Sequence, residues 1–190
     1  HDWRGWRPST NYSGPYPDHK RMLQDGRAPA FIVAFDGDSD KVAYLKWDIT
    51  ALPYYIAEPE RALIIGTGGG RDILAAKLFE VPFVRGLELN PNIAGAMRNE
   101  FKAYAGNIYD LDGVDNVIEN ARTFLHSDKE QYDLIFTALA DTQTASNQGA
   151  QVLSENHLYT TQAFETYWDR LSPQGICTVV AGYAEDMLRH

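Results

Sequence analysis

The sequence has a single cysteine among its 190 residues and no dense cluster of lysine and arginine. One cysteine, Cys177, forms no internal disulfide, and we interpret it as a small core residue rather than a nucleophile. The net charge of −9 disfavours nucleic acid as a substrate, because phosphate backbones are bound by clustered basic side chains. The five histidines show no metal-ligand spacing, so no metal site is predicted. No apolar run approaches the ~20 residues of a membrane-spanning helix, which predicts no membrane contact from this chain itself.

A glycine-rich turn between two strand-like runs is the most informative feature that is present. Residues 62–65 are apolar, as a buried parallel strand requires, and four glycines lie within residues 66–70. A second strand, 83–89, places Glu88 20 residues after Gly68. Glycines let the backbone approach a ligand closely, and a carboxylate at a strand end accepts both ribose hydroxyls. The pattern predicts a nucleoside-containing cofactor; the alternative is a strand-to-helix turn that needs glycine only for its geometry.

The spacing of the glycines distinguishes two kinds of cofactor site. In a dinucleotide-binding turn, G-x-G-x-x-G, the third glycine allows close helix–strand packing. Here the third glycine, Gly70, comes one residue early, and Arg71 stands where the dinucleotide-binding pattern has its third glycine. The G-x-G-x-G pattern followed by a strand and an acid resembles the turn of class I S-adenosylmethionine-dependent methyltransferases. The predicted cofactor contacts in these two strand ends are Gly66, Thr67, Gly68, Gly70, Arg71, Asp72, Glu88 and Leu89.

The order of strands and helices predicts an α/β fold, a Rossmann-like doubly wound and mostly parallel sheet. Predicted strands lie at 62–65, 83–89, 114–119, 132–137 and 176–181, and predicted helices at 48–56, 71–79, 90–104, 121–127 and 160–171. Two further strand-like runs, 30–35 and 42–47, flank a turn at 36–40 and predict a small N-terminal β-hairpin. The expected domains are an irregular aromatic arm at 1–29, the hairpin element at 30–58 and a nucleoside-cofactor-binding domain at 59–190.

Five segments spread along the chain carry a family resemblance. They read YLKWDITALP, IIGTGGGRD, LELNP, FLHSDKEQYDLIFT and ENHLYTTQAFETYWDRLSPQGI. Together they resemble the polyamine aminopropyltransferase (spermidine synthase) family over residues 30–181. The resemblance implies a class I methyltransferase-like fold that binds S-adenosylmethionine or its decarboxylated form, without a metal. It implies that the glycine turn meets the methionine-derived part, Glu88 the ribose, and Asn120 and Ala121 the adenine.

The same resemblance suggests catalytic residues and shows where this chain departs from the family. Aminopropyltransferases carry a D-x-x-D-P loop after the fourth strand, and its first Asp deprotonates the attacking amine. Here Ala138 stands at that position and Asp141 keeps the second. An amine with a pKa near that of lysine, ~10.4, is protonated at neutral pH, so Asp141 is the candidate base. Tyr44 and Tyr159 are candidates for lining the substrate cavity, with packing roles as the alternative.

A second departure concerns the choice of cofactor. Gly69 stands where the family has an Asp that meets the amino group of the decarboxylated cofactor. Arg71 follows at a helix N-terminus, where backbone amides favour anions. This predicts preference for S-adenosylmethionine, with its carboxylate. The alternative is that Arg71 pairs with Asp72, Asp110 or another acid.

Three functions stay open on the sequence. The first is aminopropyl transfer to a small cationic amine, the second is methyl transfer or another sulfonium-cleaving reaction, and the third is a non-catalytic cofactor-binding relative. The resemblance also suggests a homodimer, with the aromatic arm as the candidate interface. The expected setting is cytoplasmic, or the soluble domain of a longer, membrane-attached protein. Sheets of this kind usually end in an antiparallel hairpin. Three alternatives stay open for it here: it lies in a removed segment, a partner supplies it, or it is dispensable.

Overall fold

A computed structural model describes residues 9–24, 28–138 and 158–180. In this part of the chain, five parallel strands form a sheet in the order β5-β4-β3-β6-β7, and β1 and β2 form a separate antiparallel hairpin. The strands are β1 His19–Gln24, β2 Ala28–Val33, β3 Arg61–Ile65, β4 Phe83–Glu88, β5 Val114–Ile118, β6 Tyr132–Ala138 and β7 Leu171–Val180. The α-helices are α1 Leu52–Ala57, α2 Arg71–Leu78, α3 Pro91–Arg98, α4 Ala121–Ser127 and α5 Thr161–Arg170, and 3₁₀ segments cover Ser39–Trp47, Ile49–Ala51 and Ile108–Asp110.

The order of the strands determines where a ligand can bind. From β3 the chain runs outwards through β4 and β5, and then returns to place β6 on the other side of β3. In open α/β sheets, ligands bind outside the carboxyl ends of the strands at this switch point. Strand β3 leads into the glycine turn at 66–70. Strand β6 leads into residues 139–157, which lie outside the described residues and include the predicted Asp141.

Apolar side chains on both faces of the sheet explain its two helical layers. Ala62 and Ile64 of β3 pack with α2 and α3, whereas Leu63 and Ile65 pack with α4 and α5. A strand that is covered on both faces needs a continuous apolar run, which is the pattern in the sequence. Within the described residues, no helix is both long enough and apolar enough to cross a bilayer.

The N-terminal hairpin exists, but its strands differ from the predicted ones. Strand β2 overlaps the predicted run 30–35, but it pairs with β1, inside the segment predicted to be an irregular arm. The predicted partner strand, 42–47, lies in the 3₁₀ segment Ser39–Trp47 instead. The reason is local: the Asp38 carboxylate accepts the N–H of Asp40 at 3.0 Å and caps a helical turn where a hairpin turn was expected.

The helix predicted over 90–104 is also shorter than expected. Helix α3 begins as predicted, with Asn90 as the cap and Pro91 in the first turn, but it ends at Arg98. Asn99 has φ −116° and ψ −80°, which lies outside the helical region and ends the regular helix. The other predicted core strands and helices are confirmed to within a few residues, apart from β7, which begins at Leu171.

Candidate functional site

Glu88 lies at the carboxyl end of β4 with both carboxylate oxygens held by backbone amides. The N–H of Gly68 donates to Oε2 at 2.8 Å, and the N–H of Asn90 donates to Oε1 at 2.8 Å. The side chain is only 5% exposed. A carboxylate has about four lone-pair sites, and the N–H groups of Gly68, Asn90 and Leu89 occupy up to three of them, so at least one acceptor site remains. The carboxylate can therefore accept a hydrogen bond from a ribose hydroxyl.

Burial raises the pKa of Glu88 above its ordinary 4.5, and the N–H groups of Asn90, Gly68 and Leu89 offset part of that shift. Because the folded state holds the proton more tightly than the unfolded chain, this group's contribution to stability decreases as pH rises through the raised pKa. The ionised form is the better acceptor of a hydrogen bond from a hydroxyl. Binding of a nucleoside through this carboxylate would therefore have the opposite dependence on pH and would need the deprotonated form.

We expect the affinity for a nucleoside to be constant at neutral pH and to fall on acidification, with the fall beginning above pH 4.5. The measurement is titration calorimetry with 5′-methylthioadenosine from neutral pH down to about pH 5. The Glu88→Gln variant should show no such dependence. A wild-type affinity that does not change over this range would contradict the assigned role of the carboxylate.

The glycine turn forms two hydrogen bonds with Tyr109, a residue that the sequence analysis did not identify. Tyr109 donates its hydroxyl to the carbonyl oxygen of Gly68 at 2.6 Å, and it accepts a hydrogen bond from the Thr67 hydroxyl at 3.0 Å. Tyr109 and Thr67 are both buried. Tyr109 is 41 residues from Gly68 and belongs to no motif, so no local signal marks it.

Strand β2 of the hairpin packs against the outer side of the same turn. Ile32 and Gly70 form an isolated antiparallel bridge. A Cβ atom on Gly69 would lie 2.0 Å from the carbonyl oxygen of Phe31 and 3.0 Å from the backbone nitrogen of Ile32. The position at which the resembling family carries an Asp is therefore filled by the backbone of β2.

We expect Gly69→Ala to lower the free energy of unfolding by about 1–3 kcal/mol, since a backbone strand has to move to admit one methyl group. The matched control is Gly95→Ala in α3, where an added Cβ meets nothing within 4 Å. That change should be neutral or stabilise the protein by up to about 1 kcal/mol through helix propensity. Urea unfolding measures both variants. Equal effects would mean that β2 does not pack against the turn in this way.

Arg71, at the start of α2, is engaged in ion pairs. Its Nη2 donates to the fully buried carboxylate of Asp48 at 2.7 Å, and its Nη1 donates to Asp72 at 3.0 Å. Thr50 also accepts from Nη1, at 3.3 Å. The predicted alternative, pairing of Arg71 with Asp72, is the arrangement observed, whereas Asp110 pairs with Arg98. Two carboxylates around one guanidinium leave a formal charge of −1 beside the glycine turn.

The predicted base-binding residues lie at neighbouring strand ends. Asn120 caps α4, because its Oδ1 accepts the N–H groups of Arg122 and Thr123 at 2.9 and 3.4 Å. With that oxygen engaged, the side chain offers mainly N–H donors to a ligand. Ala121 is buried at the first position of the helix. Leu89 is largely exposed beyond Glu88, so it can contact the face of a base.

The three predicted catalytic residues are not all brought together by the described structure. Tyr44 is buried beside Arg71, and burial raises the pKa of its phenol to about 12, so it stays protonated at neutral pH. Tyr159 lies near Tyr167, a member of the apolar cluster on the α4–α5 face of the sheet; burial raises the pKa of Tyr167, and Cys177 and Tyr159 add smaller contributions. Tyr44 belongs to the cluster on the opposite face. Asp141 lies outside the described residues, so its role stays a prediction.

Comparisons with known proteins give matches to solved structures only. No model of a protein family matches the sequence, and no curated protein matches it. A spermidine synthase from Thermotoga maritima is similar, with a TM-score of 0.57 and 20% identity over 89% of this chain and 56% of its own. A spermidine synthase in complex with the transition state analogue AdoDATO has a TM-score of 0.54 and 17% identity over 93% of this chain and 65% of its own. Human methyltransferase-like protein 13 in complex with SAH has a TM-score of 0.49 and 16% identity over 68% of this chain and 60% of its own.

The chain has the Rossmann-like fold of class I methyltransferases. The predicted fold class, with a parallel sheet after a small hairpin, is confirmed. The chain spans 56% and 65% of the lengths of the two synthases. In this fold the turn after β3 and the acid after β4 are adjacent strand ends, which is where Gly68 and Glu88 meet here.

No metal-binding cluster occurs in the part of the chain described by the structure. Within it, no three His, Cys, Asp or Glu side chains are grouped so that they could hold an ion. Cys177 lies on β7 and packs against the apolar cluster on the α4–α5 face, and burial raises the pKa of its thiol. Among the described residues, the strand ends carry carboxylates, hydroxyls and backbone amides.

Proposed function

We propose that this chain binds a nucleoside sulfonium cofactor of the S-adenosylmethionine type and transfers an alkyl group from it. The observation that supports this most directly is Glu88, whose carboxylate keeps at least one acceptor site at the strand end next to the glycine turn. The residues present fit the nucleoside part of such a cofactor. Glu88 would hold the ribose, Leu89 would contact the base, and Asn120 would donate to a ring nitrogen.

Aminopropyl transfer to a small cationic amine is the first candidate within this class. Its support is the charge around Arg71: with Asp48 and Asp72 both paired to one guanidinium, the start of α2 is net negative. A net negative charge next to the glycine turn favours the decarboxylated cofactor, which carries an ammonium group and no carboxylate. The net charge of −9 also favours the approach of a cationic acceptor. The solved spermidine synthases add support from overall fold.

The proton balance of that reaction assigns a role to Asp141. A bound sulfonium cofactor would supply an activated carbon. The acceptor amine, once it has lost a proton, would bond to that carbon while the carbon–sulfur bond breaks and the neutral thioether leaves. Asp141 is the residue that the family resemblance offers as the base, and positioning of the amine would supply most of the remaining catalysis. On this proposal, Asp141→Asn lowers the turnover number by about 10²–10⁴. An unchanged turnover number would remove Asp141 from the mechanism.

Methyl transfer is the second candidate, and a specific observation favours it. The backbone of Phe31 fills the place next to Gly69 where the resembling family carries its acid, so this contact to the amino group of a decarboxylated cofactor is missing. Ala138 also replaces the family's first loop Asp. The first departure removes a contact to the decarboxylated cofactor, and the second removes the residue that deprotonates an amine acceptor. Both favour a transferase that uses another cofactor and another acceptor.

Calorimetric titration separates the two candidates. The ligands are S-adenosylmethionine, its decarboxylated form and 5′-methylthioadenosine, with the wild-type chain and Glu88→Gln in parallel. Tighter binding of the decarboxylated form supports aminopropyl transfer, and tighter binding of S-adenosylmethionine supports methyl transfer. No binding of any of the three would contradict the proposed function as a whole.

A further inference from the structure

The pair of buried hydroxyls on Thr67 and Tyr109 has a role that the cofactor contacts do not explain. Thr67 donates to Tyr109 at 3.0 Å, and Tyr109 donates to Gly68 at 2.6 Å, so the tyrosine hydroxyl both accepts and donates. Burial and the nearby charge of Glu88 raise the pKa of Tyr109, so its hydroxyl keeps its proton at physiological pH. Its donated hydrogen bond is therefore always available to Gly68.

Each of the two peptide groups that flank Gly68 forms a hydrogen bond with a side chain, one with Glu88 and the other with Tyr109. The Thr67–Gly68 peptide donates its N–H to Glu88 at 2.8 Å, and the Gly68–Gly69 peptide directs its C=O to Tyr109. Gly68 has φ +49°, a conformation open to glycine but disfavoured for other residues, and a glycine backbone resists rotation weakly. The two hydrogen bonds together therefore determine the orientation of both peptides.

We propose that Tyr109 is a positioning residue of the cofactor site, acting through Gly68 to hold the carboxylate of Glu88 in place for the ribose. The inference rests on the proposed function for its ligand, but its structural part concerns only the turn. If the Tyr109 hydroxyl is removed, the half-buried C=O of Gly68 loses this partner. The peptides around Gly68 then relax, and the hydrogen bond from Gly68 N–H to Glu88 lengthens or breaks.

This mechanism predicts an effect on pH dependence that a packing role would not produce. The N–H of Gly68 is one of the groups that lower the pKa of Glu88 against the effect of burial. Weakening that bond should move the pH midpoint of nucleoside binding upwards, in addition to lowering the affinity. Loss of packing alone would lower the melting temperature and leave the midpoint unchanged.

The test uses Tyr109→Phe, with Tyr132→Phe as the matched control. Tyr132 is equally buried, and its hydroxyl donates to Asp128 at 2.6 Å at the start of β6, at the opposite edge of the sheet from the glycine turn. We expect Tyr109→Phe to weaken 5′-methylthioadenosine binding about tenfold and to raise the pH midpoint, and Tyr132→Phe to do neither. Thr67→Val, which leaves the bond from Tyr109 to Gly68 in place, should change both quantities in the same direction by less. If Tyr109→Phe fails to fold, Thr67→Val decides, and wild-type affinity and midpoint in that variant would overturn the proposal.

Two further outcomes are decisive. A folded Tyr109→Phe protein with unchanged affinity and an unchanged midpoint would reduce Tyr109 to a packing residue. If the wild-type chain binds no nucleoside, the proposed function fails, and amide hydrogen exchange of residues 66–70 in the free protein tests the structural part. Faster exchange at Gly68 in Tyr109→Phe than in Tyr132→Phe would support the hold on the turn, and equal exchange would overturn it.

Discussion

Replacement of Glu88 by Gln is expected to weaken binding of 5′-methylthioadenosine by about 100-fold. The hydrogen bond from a ribose hydroxyl to this charged acceptor would be lost or weakened. Such a bond is worth about 1.5–3 kcal/mol, and each 1.4 kcal/mol corresponds to tenfold in affinity. The amide also introduces an NH₂ donor that has to face one of two backbone donors, Gly68 N–H or Asn90 N–H. A donor that faces another donor in a buried site costs further affinity and some stability.

The matched control for this change is Glu130→Gln. Glu130 forms an exposed ion pair with Arg61 at 2.8 Å, at the start of β3 and therefore at the opposite edge of the sheet. The variant makes the same change in charge and in shape, so it corrects for a general effect of net charge. If Glu130→Gln and Glu88→Gln bind the nucleoside equally well, Glu88 does not hold the ribose and the proposed function loses its main support.

Replacement of Arg71 by Met is expected to lower the free energy of unfolding by about 3–5 kcal/mol. The change leaves the Asp48 carboxylate, which is fully buried, and the Asp72 carboxylate without their cationic partner, and an uncompensated buried charge costs about that much. The pKa of Asp72 is already raised by burial. Without the charge of Arg71, burial would raise the pKa of Asp72 further, so the loss should be largest at neutral pH and shrink as pH falls.

Urea unfolding at neutral and mildly acidic pH tests this prediction, with Arg61→Met as the control. Arg61 and its partner Glu130 are both exposed, and such pairs contribute about 0–1 kcal/mol. A loss in Arg71→Met no larger than in Arg61→Met would show that the Asp48–Arg71–Asp72 group does not anchor the segment before α1 to the glycine turn. A loss that grows on acidification would contradict the assignment of charge.

The sequence alone located the parallel strands and the glycine turn, because these depend on local patterns. A continuous apolar run predicts a strand covered on both faces, and the spacing from Gly68 to Glu88 predicts that two neighbouring strand ends meet. It failed in the N-terminal segment, where short runs are compatible with more than one structure. Strand β1 pairs with β2, which follows it directly, and the run at 42–47 is helical because Asp38 caps it.

Only the tertiary structure decided which groups surround the turn. Arg71 lies 23 residues from Asp48, and Tyr109 lies 41 residues from Gly68, so neither pairing leaves a local signal. The same holds for Gly69. From the sequence, this glycine indicates only that the acid of the resembling family is absent, whereas the structure shows that the backbone of Phe31 occupies the space of a side chain. The sequence by itself thus determined the fold and the position of Glu88 beside the glycine turn, since both follow from local periodicity and spacing. Charge balance and the support of the turn arise from long-range contacts, and only the folded chain brings those together.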